Sequence, residues 1–352
     1  MSVVICHDNL GARAGGERVA LALSKAFDDA PIRTLVYEPS ATFAAFAEVD
    51  ITTSWLNRSA QLRRHYRAAL PAAALTWRSM QIDAEVVICS TSGLSHHVRT
   101  KGRKVVYCHT PARWLHDSAT YLDGFGAVVR SVATAMRPIY RRLDKSAMQE
   151  ADVVIANSAH IAAEVRAAHG LDAAVIEPPS TLDPCGPIDP VVGVQPGFVL
   201  SVTRPLGYKR LDVLVAASRE MPDHQFVVMG DGPQIDDLRR AAPSNLMVCG
   251  SVTDDQLRWG YRNAAAIAVT CAEDFGLVPL EAAAFGCRSV APDARGLRGR
   301  QVDGLVHYDF GSVAGLVEAL RGAIGKGPLT NPDHEALGVT GFEERMREVV
   351  FG

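Results

Sequence analysis

Ala265-Ala-Ile-Ala-Val-Thr-Cys-Ala-Glu-Asp-Phe-Gly-Leu-Val-Pro-Leu-Glu-Ala-Ala-Ala-Phe-Gly286 is the stretch on which the reading of the fold turns. It opens on an apolar, strand-like run, Ala265–Thr270, and ends on a helical one, Leu280–Phe285, closed by Gly286. Pro279 suits the first turn of that helix, where a missing N–H costs nothing. The same alternation recurs along the chain. Val3–Cys6, Thr34–Tyr37, Val86–Cys89, Lys104–Tyr107, Val153–Ala156 and Ala174–Ile176 are strand candidates of a first series. Phe198–Val202, Phe226–Met229, Leu246–Cys249, Ala265–Thr270 and Ser289–Ala291 form a second. Strands alternating with longer helical patterns mark a parallel α/β architecture. Between the series, Pro178–Pro190 and Gly193–Gly197 hold too much proline and glycine to continue either element and read as a linker. The expectation is two doubly wound, Rossmann-like domains facing a central cleft, at 1–180 and 198–340, joined by a linker at 181–197.

Composition agrees with that plan. A chain of 352 residues, 48% hydrophobic and 21% charged, is long enough for about two domains with substantial cores. A net charge of −3 gives no case for nucleic acid as a partner. The seven cysteines include no C-x-x-C pair and fall mostly in apolar runs, which reads as reduced core thiols of a cytoplasmic protein. Met1-Ser-Val-Val-Ile-Cys6 enters a strand directly, without the features of a signal peptide, and no run reaches the length of a membrane span.

The chemistry is concentrated at loops that follow strands. Glu273 and Glu281 flank the helix start, and the amides of Gly276, Leu277 and Val278 point out of its N-terminus, a ready site for a diphosphate. Glu281, one turn in, can accept hydrogen bonds from a ribose diol, while Glu273 can reach a neighbouring hydroxylated ring. The bland alternative is a surface glutamate plus one that complements the helix dipole. Upstream, the buried strand Val199–Thr203 runs into Arg204-Pro-Leu-Gly-Tyr-Lys-Arg210, a loop of the kind where ligands sit in such folds. Arg204 offers a fork and Lys209 a point charge to one diphosphate. The strand Gln225–Met229 ends in Gly230-Asp-Gly-Pro233, which alone reads as an ordinary turn.

In this order and spacing, Arg204 with Lys209, the Gly230–Pro233 turn, and Glu273 with Glu281 resemble the donor half of retaining glycosyltransferases of family 4, which have the GT-B fold. The N-terminal half resembles the WbaZ-like mannosyltransferase subgroup. The matching residues are His7-Asp8, Gly15-Gly-Glu17, His65-Tyr-Arg67, Tyr107-Cys-His-Thr-Pro-Ala-Arg113 with Asp117, and Ala156-Asn-Ser158. Phe342–Phe351 resembles the family's terminal helix, at 341–352 here, which crosses back to complete the first domain. The resemblance implies transfer of a hexose, mannose from GDP-mannose, to a hydroxyl of a lipid-linked or cell-surface glycan. It assigns His109, Arg204, Lys209 and Glu273 to catalysis. It assigns donor contacts to Gly15, Gly16, Arg204, Lys209, Glu273, Phe275, Gly276, Leu277 and Glu281, and acceptor contacts to Asp8, Arg113 and Asp117. No cofactor beyond the nucleotide sugar is implied, and the departing phosphate serves as base.

Residue by residue, competing readings stand beside these. Gly11–Gly16 is either a tight turn or a close backbone approach to phosphates, and it is not a G-x-G-x-x-G fingerprint. His109, beside Arg113 and Asp117 after the strand Lys104–Tyr107, is read as functional rather than structural. His96 and His97 find no third ligand at a sensible spacing and are read as loop or helix residues, so no metal site is expected. There is also no D-x-D. Two departures from the family appear: Gly299, within Arg295-Gly-Leu-Arg-Gly-Arg300, stands where a glutamate is usual, and Ser289 replaces a proline. The alternatives are a transferase acting on a small-molecule natural product with a UDP- or dTDP-sugar, and a GT-B epimerase or nucleotide-sugar-binding protein. Finally, Arg58, Arg63, Arg64, Arg67 and Arg78 interleave with Trp55, Tyr66 and Trp77, and Arg137, Arg141, Arg142 and Lys145 form a second basic cluster. Such surfaces suit an anionic bilayer, so peripheral attachment at the inner face of the plasma membrane is expected, against a plain solvated face.

Overall fold

The structure is a computed structural model and describes residues 1–64, 70–116, 127–180, 182–330 and 338–352. The chain divides into two compact units, Met1–Pro179 with Val339–Gly352, and Ser180–Gly338.

In the first unit the strands are β1 (Val3–His7), β2 (Ile32–Thr34), β3 (Ile51–Thr53), β5 (Val86–Thr91), β7 (Arg103–Cys108), β8 (Val153–Ala156) and β9 (Ala174–Val175). They form one sheet in the order β3-β2-β1-β5-β7-β8-β9, parallel throughout. Two-residue strands β4 (Gln81–Ile82) and β6 (Arg99–Thr100) pair apart from it. Alternate residues of the central strands feed two cores. Cys6, Val87, Cys89 and Val106 join one, and Ile5, Ile88, Val105 and Tyr107 the other. Burial on both faces is why these strands read as unbroken apolar runs instead of alternating ones.

The second unit repeats the plan with β10 (Phe198–Val202), β11 (Phe226–Met229), β12 (Leu246–Gly250), β13 (Ala264–Ala268), β14 (Ser289–Pro292) and β15 (Leu305–Tyr308). Their order is β12-β11-β10-β13-β14-β15, again parallel. In both sheets the order reverses once, between β1 and β5 and between β10 and β13. Those reversals open the crevice at the carboxyl ends of the strands where ligands bind in doubly wound sheets.

Several elements depart from the sequence reading. Strand β2 lies at Ile32–Thr34, before the expected Thr34–Tyr37, because Leu35 and Val36 are buried by packing while only Tyr37 forms a single bridge, to Leu10. Strands β3 and β15 were not anticipated: Ile51–Thr53 is very short, and Leu305–Tyr308 is an edge strand whose first three residues are only half-buried. Of the expected linker, the described residues 182–197 lack helix and strand, but Leu182, Val191 and Val194 are buried in the core of the second unit. Proline and glycine forbid regular structure there; they do not forbid packing. The helix Val339–Phe351 places Phe342, Met346 and Val350 in the core of the first unit, with Phe342 edge-on to Tyr107 at 5.9 Å.

Candidate active site

In the second unit, the loops that leave β10 and β13 meet at the strand-order reversal. Lys209 ends a short turn after β10, and Glu273 lies on the loop after β13. Lys209 Nζ donates to Glu273 Oε1 at 2.7 Å, and the Cys271 thiol donates to the same oxygen at 2.8 Å. Thr270 Oγ1 ties the two loops together by donating to the Lys209 carbonyl at 2.7 Å. Burial opposes the Lys209 charge, but the surrounding Cys271, Glu273 and Tyr208 outweigh it and hold the ammonium well above its ordinary pKa. The ammonium is therefore charged at neutral pH, and the pair keeps a route to solvent, with side chains 13% and 25% exposed.

Beyond Glu273, Gly276 adopts φ +86° and starts the helix Leu277–Ala284, in which Pro279 is the third residue. No side chain caps that helix, so its first amides face outward beside the ion pair. The arginine-rich segment braces this loop. Gly296 N donates to the Glu273 carbonyl at 2.9 Å, and Arg295 Nε to Asp274 Oδ1 at 2.9 Å. Arg300 donates to the Phe275 carbonyl at 3.1 Å and stacks over the Phe275 ring at 4.1 Å. A Cβ on Gly296 would fall 1.9 Å from the Asp274 carbonyl oxygen, which is why glycine stands there.

Arg204 is half-buried, and no carboxylate of the described residues pairs with it. Its loop rests against the glycine turn: a Cβ on Gly230 would meet the Thr203 carbonyl oxygen at 2.0 Å, and one on Gly232 the Pro205 oxygen at 2.7 Å. Those glycines are thus required by close backbone packing. Glu281 belongs to a separate network. It is buried, and its two oxygens accept from Ser180 Oγ at 3.0 Å and the Tyr261 hydroxyl at 2.6 Å.

The first unit gathers a second group at its own reversal point. His7 ends β1, Ser90 lies on β5, and His109 follows β7. Ser90 Oγ is 2.8 Å from His109 Nε2 and 3.0 Å from His7 Nδ1, linking the two rings. Burial, with a smaller push from His7, lowers the pKa of His109 to about 3, so this imidazole is neutral at any working pH. Gly16, in the first turn of the helix Gly15–Ala26, lies over both rings: a Cβ there would sit 3.7 Å from His7 Cε1 and 4.0 Å from His109 Nε2. Asp8, read as an acceptor contact, accepts from Thr91 Oγ1 and from the amides of Ser92 and Ser95 at 2.7–3.2 Å, holding the turn after β5. Arg113 opens the short helix Arg113–His116. Asp117 lies outside the described residues, as do His65, Tyr66 and Arg67.

His96 and His97, for which sequence spacing offers no third ligand, lie against a carboxylate. Asp144, fully buried on the helix Ala127–Gln149, lies 3.0 Å from His96 Nε2 and 3.6 Å from His97 Nε2. His116 and His169 approach its other oxygen at 3.0 and 3.6 Å. The partner sits 48 residues away in sequence, beyond what spacing reveals. Sequence reasoning also passed over Ser90, Tyr261 and Ser180 as parts of these networks. Only Ser90 left a signal, at the carboxyl end of a strand beside the reversal point.

Comparison with known proteins puts these groups in context. Residues 13–179 match the family model described as Glycosyltransferase Family 4, and residues 197–325 match that of Glycosyl transferases group 1. No curated protein sequence matches the chain. Among solved structures, Anabaena HepE in complex with UDP and glucose is similar at TM-score 0.72 and 15% identity, covering 98% of each chain. The lipopolysaccharide outer core galactosyltransferase WaaB is similar at 0.59 and 16% identity, covering 100% of this chain and 99% of its own. Sucrose-phosphate synthase from Thermosynechococcus elongatus is similar at 0.65 and 15% identity, covering 99% and 95%. At such identities the likeness is one of fold, and that fold is GT-B.

Proposed function

We propose that the chain is a glycosyltransferase of family 4, as the matches to residues 13–179 and 197–325 support, and that it moves a hexose from a nucleoside diphosphate to an acceptor hydroxyl with retention of anomeric configuration. The observation that carries this reading is the Lys209–Glu273 pair at the β10/β13 reversal, beside an uncapped helix N-terminus. In the reaction the bond from the anomeric carbon to the diphosphate breaks, and its electron pair leaves on the phosphate oxygen. The acceptor oxygen forms the new bond from the same face, and its proton passes to the departing phosphate. Negative charge thus grows where Arg204, Lys209 and the amides after Gly276 supply positive potential, the arrangement that stabilises a transition state most. Glu273 accepts from sugar hydroxyls and balances Lys209 until the diphosphate arrives. Neutral His109 serves by hydrogen bonding to the sugar or acceptor, since its low pKa removes it as a proton donor of the imidazolium kind. Charge supplied by side chains and amides takes the place that a diphosphate-bound cation holds in other transferases.

The finer assignment is mannose from GDP-mannose, delivered to a lipid-linked or cell-surface glycan. The N-terminal resemblance to WbaZ-like mannosyltransferases supports it. Attachment to the inner leaflet as a peripheral protein is part of the same proposal, and here the surface is redrawn. Trp77 is fully buried, Arg63 pairs with Glu38, and Arg78 pairs with Glu150, which removes much of the first basic and aromatic cluster. The helix Ala127–Gln149 instead exposes Met136, Ile139 and Leu143 at helical spacing, alongside Arg142 and Lys145. No helix of the described residues is long and apolar enough to cross a membrane.

Calorimetry with GDP-mannose, UDP-glucose and dTDP-glucose tests the donor. Binding of GDP-mannose, abolished by Lys209→Ala, is expected. Failure of all three nucleotide sugars to bind would remove the proposal. NMR of the product tests the stereochemistry, and an anomeric signal inverted relative to the donor would remove retention.

A further inference from the structure

Four histidines of the first unit, His96, His97, His116 and His169, surround the single carboxylate of Asp144. The histidines arrive from three elements, the turn Ser95–His97, the short helix Arg113–His116 and the end of the helix Ala159–His169, and Asp144 comes from a fourth, the helix Ala127–Gln149. Hydrogen bonding to a buried carboxylate accounts for part of this. His96 bridges Thr91 Oγ1 at 3.2 Å and Asp144 Oδ1 at 3.0 Å, and His116 Nε2 lies 3.0 Å from Oδ2. It does not account for His169. That ring is fully buried, and neither of its nitrogens has a hydrogen-bond partner, although Nδ1 is aimed at Asp144 Oδ2 from 3.6 Å. A buried, polar, unpartnered ring aimed at a carboxylate is costly unless something lies between them.

We propose that His116 Nε2, His169 Nδ1 and Asp144 Oδ2 bind one divalent first-row transition-metal ion of the zinc class. Their ligand atoms all lie within 4.8 Å of one another. Two donors each about 2.0–2.1 Å from a tetrahedral zinc ion stand roughly 3.3 Å apart. The two spacings to Asp144 Oδ2, 3.0 and 3.6 Å, straddle that value. Two imidazoles and a carboxylate are the donor set that zinc, cobalt(II) and nickel(II) share, in contrast to the all-oxygen sets of magnesium and calcium. His116, whose side chain is 20% exposed, gives the ion its way in and leaves a coordination position for water. His96 holds the second carboxylate oxygen and fixes its orientation, as outer partners of metal ligands do. The nearby Lys104 does not oppose the ion with a free charge, because its ammonium donates to the carbonyls of Val98 and Ala147 and lies 3.6 Å from Glu150. The ion would bind the ends of two helices to the C-terminal part of a third. Its role is architectural, and the proposal is independent of the transfer reaction.

The test uses the untagged full chain, stripped with a chelator, dialysed, and titrated with cobalt(II). One equivalent should bind with the visible d–d absorption of a low-symmetry four-coordinate ion, and zinc should displace it and raise the thermal unfolding temperature. His116→Ala, at a partly exposed position, should stay folded by circular dichroism and bind at least tenfold more weakly, and His169→Ala should abolish the band. Absence of any cobalt band or zinc-dependent thermal shift in the unaltered chain overturns the proposal. So does undiminished binding by both variants, which would place the ion elsewhere.

Discussion

Lys209 and Arg204 differ in a way that makes their substitution informative. Lys209 is matched to Glu273 before any ligand arrives, whereas Arg204 has no carboxylate partner among the described residues. On the proposed mechanism, losing either removes one charge that meets the leaving diphosphate, so kcat/KM should fall by about a hundredfold or more, or ~3 kcal/mol of transition-state stabilisation. Folding should respond differently. Arg204→Ala leaves no carboxylate of the described residues without its cation, while Lys209→Ala removes the charge that balances Glu273 and lowers the urea midpoint as well. Near-normal turnover in both variants would place the diphosphate elsewhere. Added magnesium or manganese should not raise turnover, and strict dependence on either would overturn the charge assignment. His109 gives a prediction in pH. Its folded pKa of about 3 lies below the ordinary imidazole value near 6.5, so between these limits the unfolded chain binds a proton that the folded one does not. Stability therefore rises with pH through that window and is lost as the solution is acidified. From pH 7 to 5 the loss due to this residue is on the order of 1–2 kcal/mol, and His109→Gln should flatten that part of the curve measured by urea denaturation. An unchanged pH slope in the variant would mean that the ring is protonated in the folded protein.

At the scale of elements, the loop after β13 shows what the sequence disclosed and what it withheld. Its strand, its glycine turn, its proline in the first helical turn and its glutamates were legible because each rests on local chemistry. What braces it was not. Arg295-Gly-Leu-Arg-Gly-Arg300 looked like a departure from the family, yet these residues hold Glu273 to Phe275 in place through contacts more than twenty residues distant in sequence. The same limit hid Asp144 from His96 and His97, and hid Ser180 and Tyr261 from Glu281. Apolar runs reveal strands buried on both faces, but partners brought together by topology leave no periodic trace. Gly296→Ala tests the brace, since its Cβ would collide with the Asp274 backbone. The loop must shift, and calorimetry should show nucleotide-sugar affinity reduced at least tenfold with the fold retained. An unaltered affinity would show that the position of Glu273 does not depend on this segment. Phe342→Ala tests a different element, the helix Val339–Phe351. It removes a fully buried ring from the first core and should cost about 3–5 kcal/mol in urea denaturation.

For the whole molecule, the open question is what surface brings it to its acceptor. Net charge is −3, so any attraction to anionic lipid must come from local distribution, not from the chain as a whole. The helix Ala127–Gln149 provides such a distribution. Ile139 is 59% exposed and Leu143 41%, one turn apart on the same stripe, with Arg142 and Lys145 beside them. Arg137 and Arg141 contribute less, because both donate to the Leu115 carbonyl. Basic residues near an anionic surface add about 1 kcal/mol each, and inserted apolar side chains add to that without dependence on salt. The two contributions can be separated. Binding to phosphatidylglycerol vesicles should weaken as salt shortens the screening length, and Arg142→Ser with Lys145→Ser should reduce that salt dependence. Ile139→Glu should lower binding at every salt concentration and leave turnover on a soluble acceptor fragment unchanged, since an exposed side chain carries little of the fold. If the unaltered protein ignores such vesicles at low salt while glycosylating a soluble acceptor at full rate, the lipid-linked acceptor is excluded. The same GT-B framework then serves a small-molecule natural product instead.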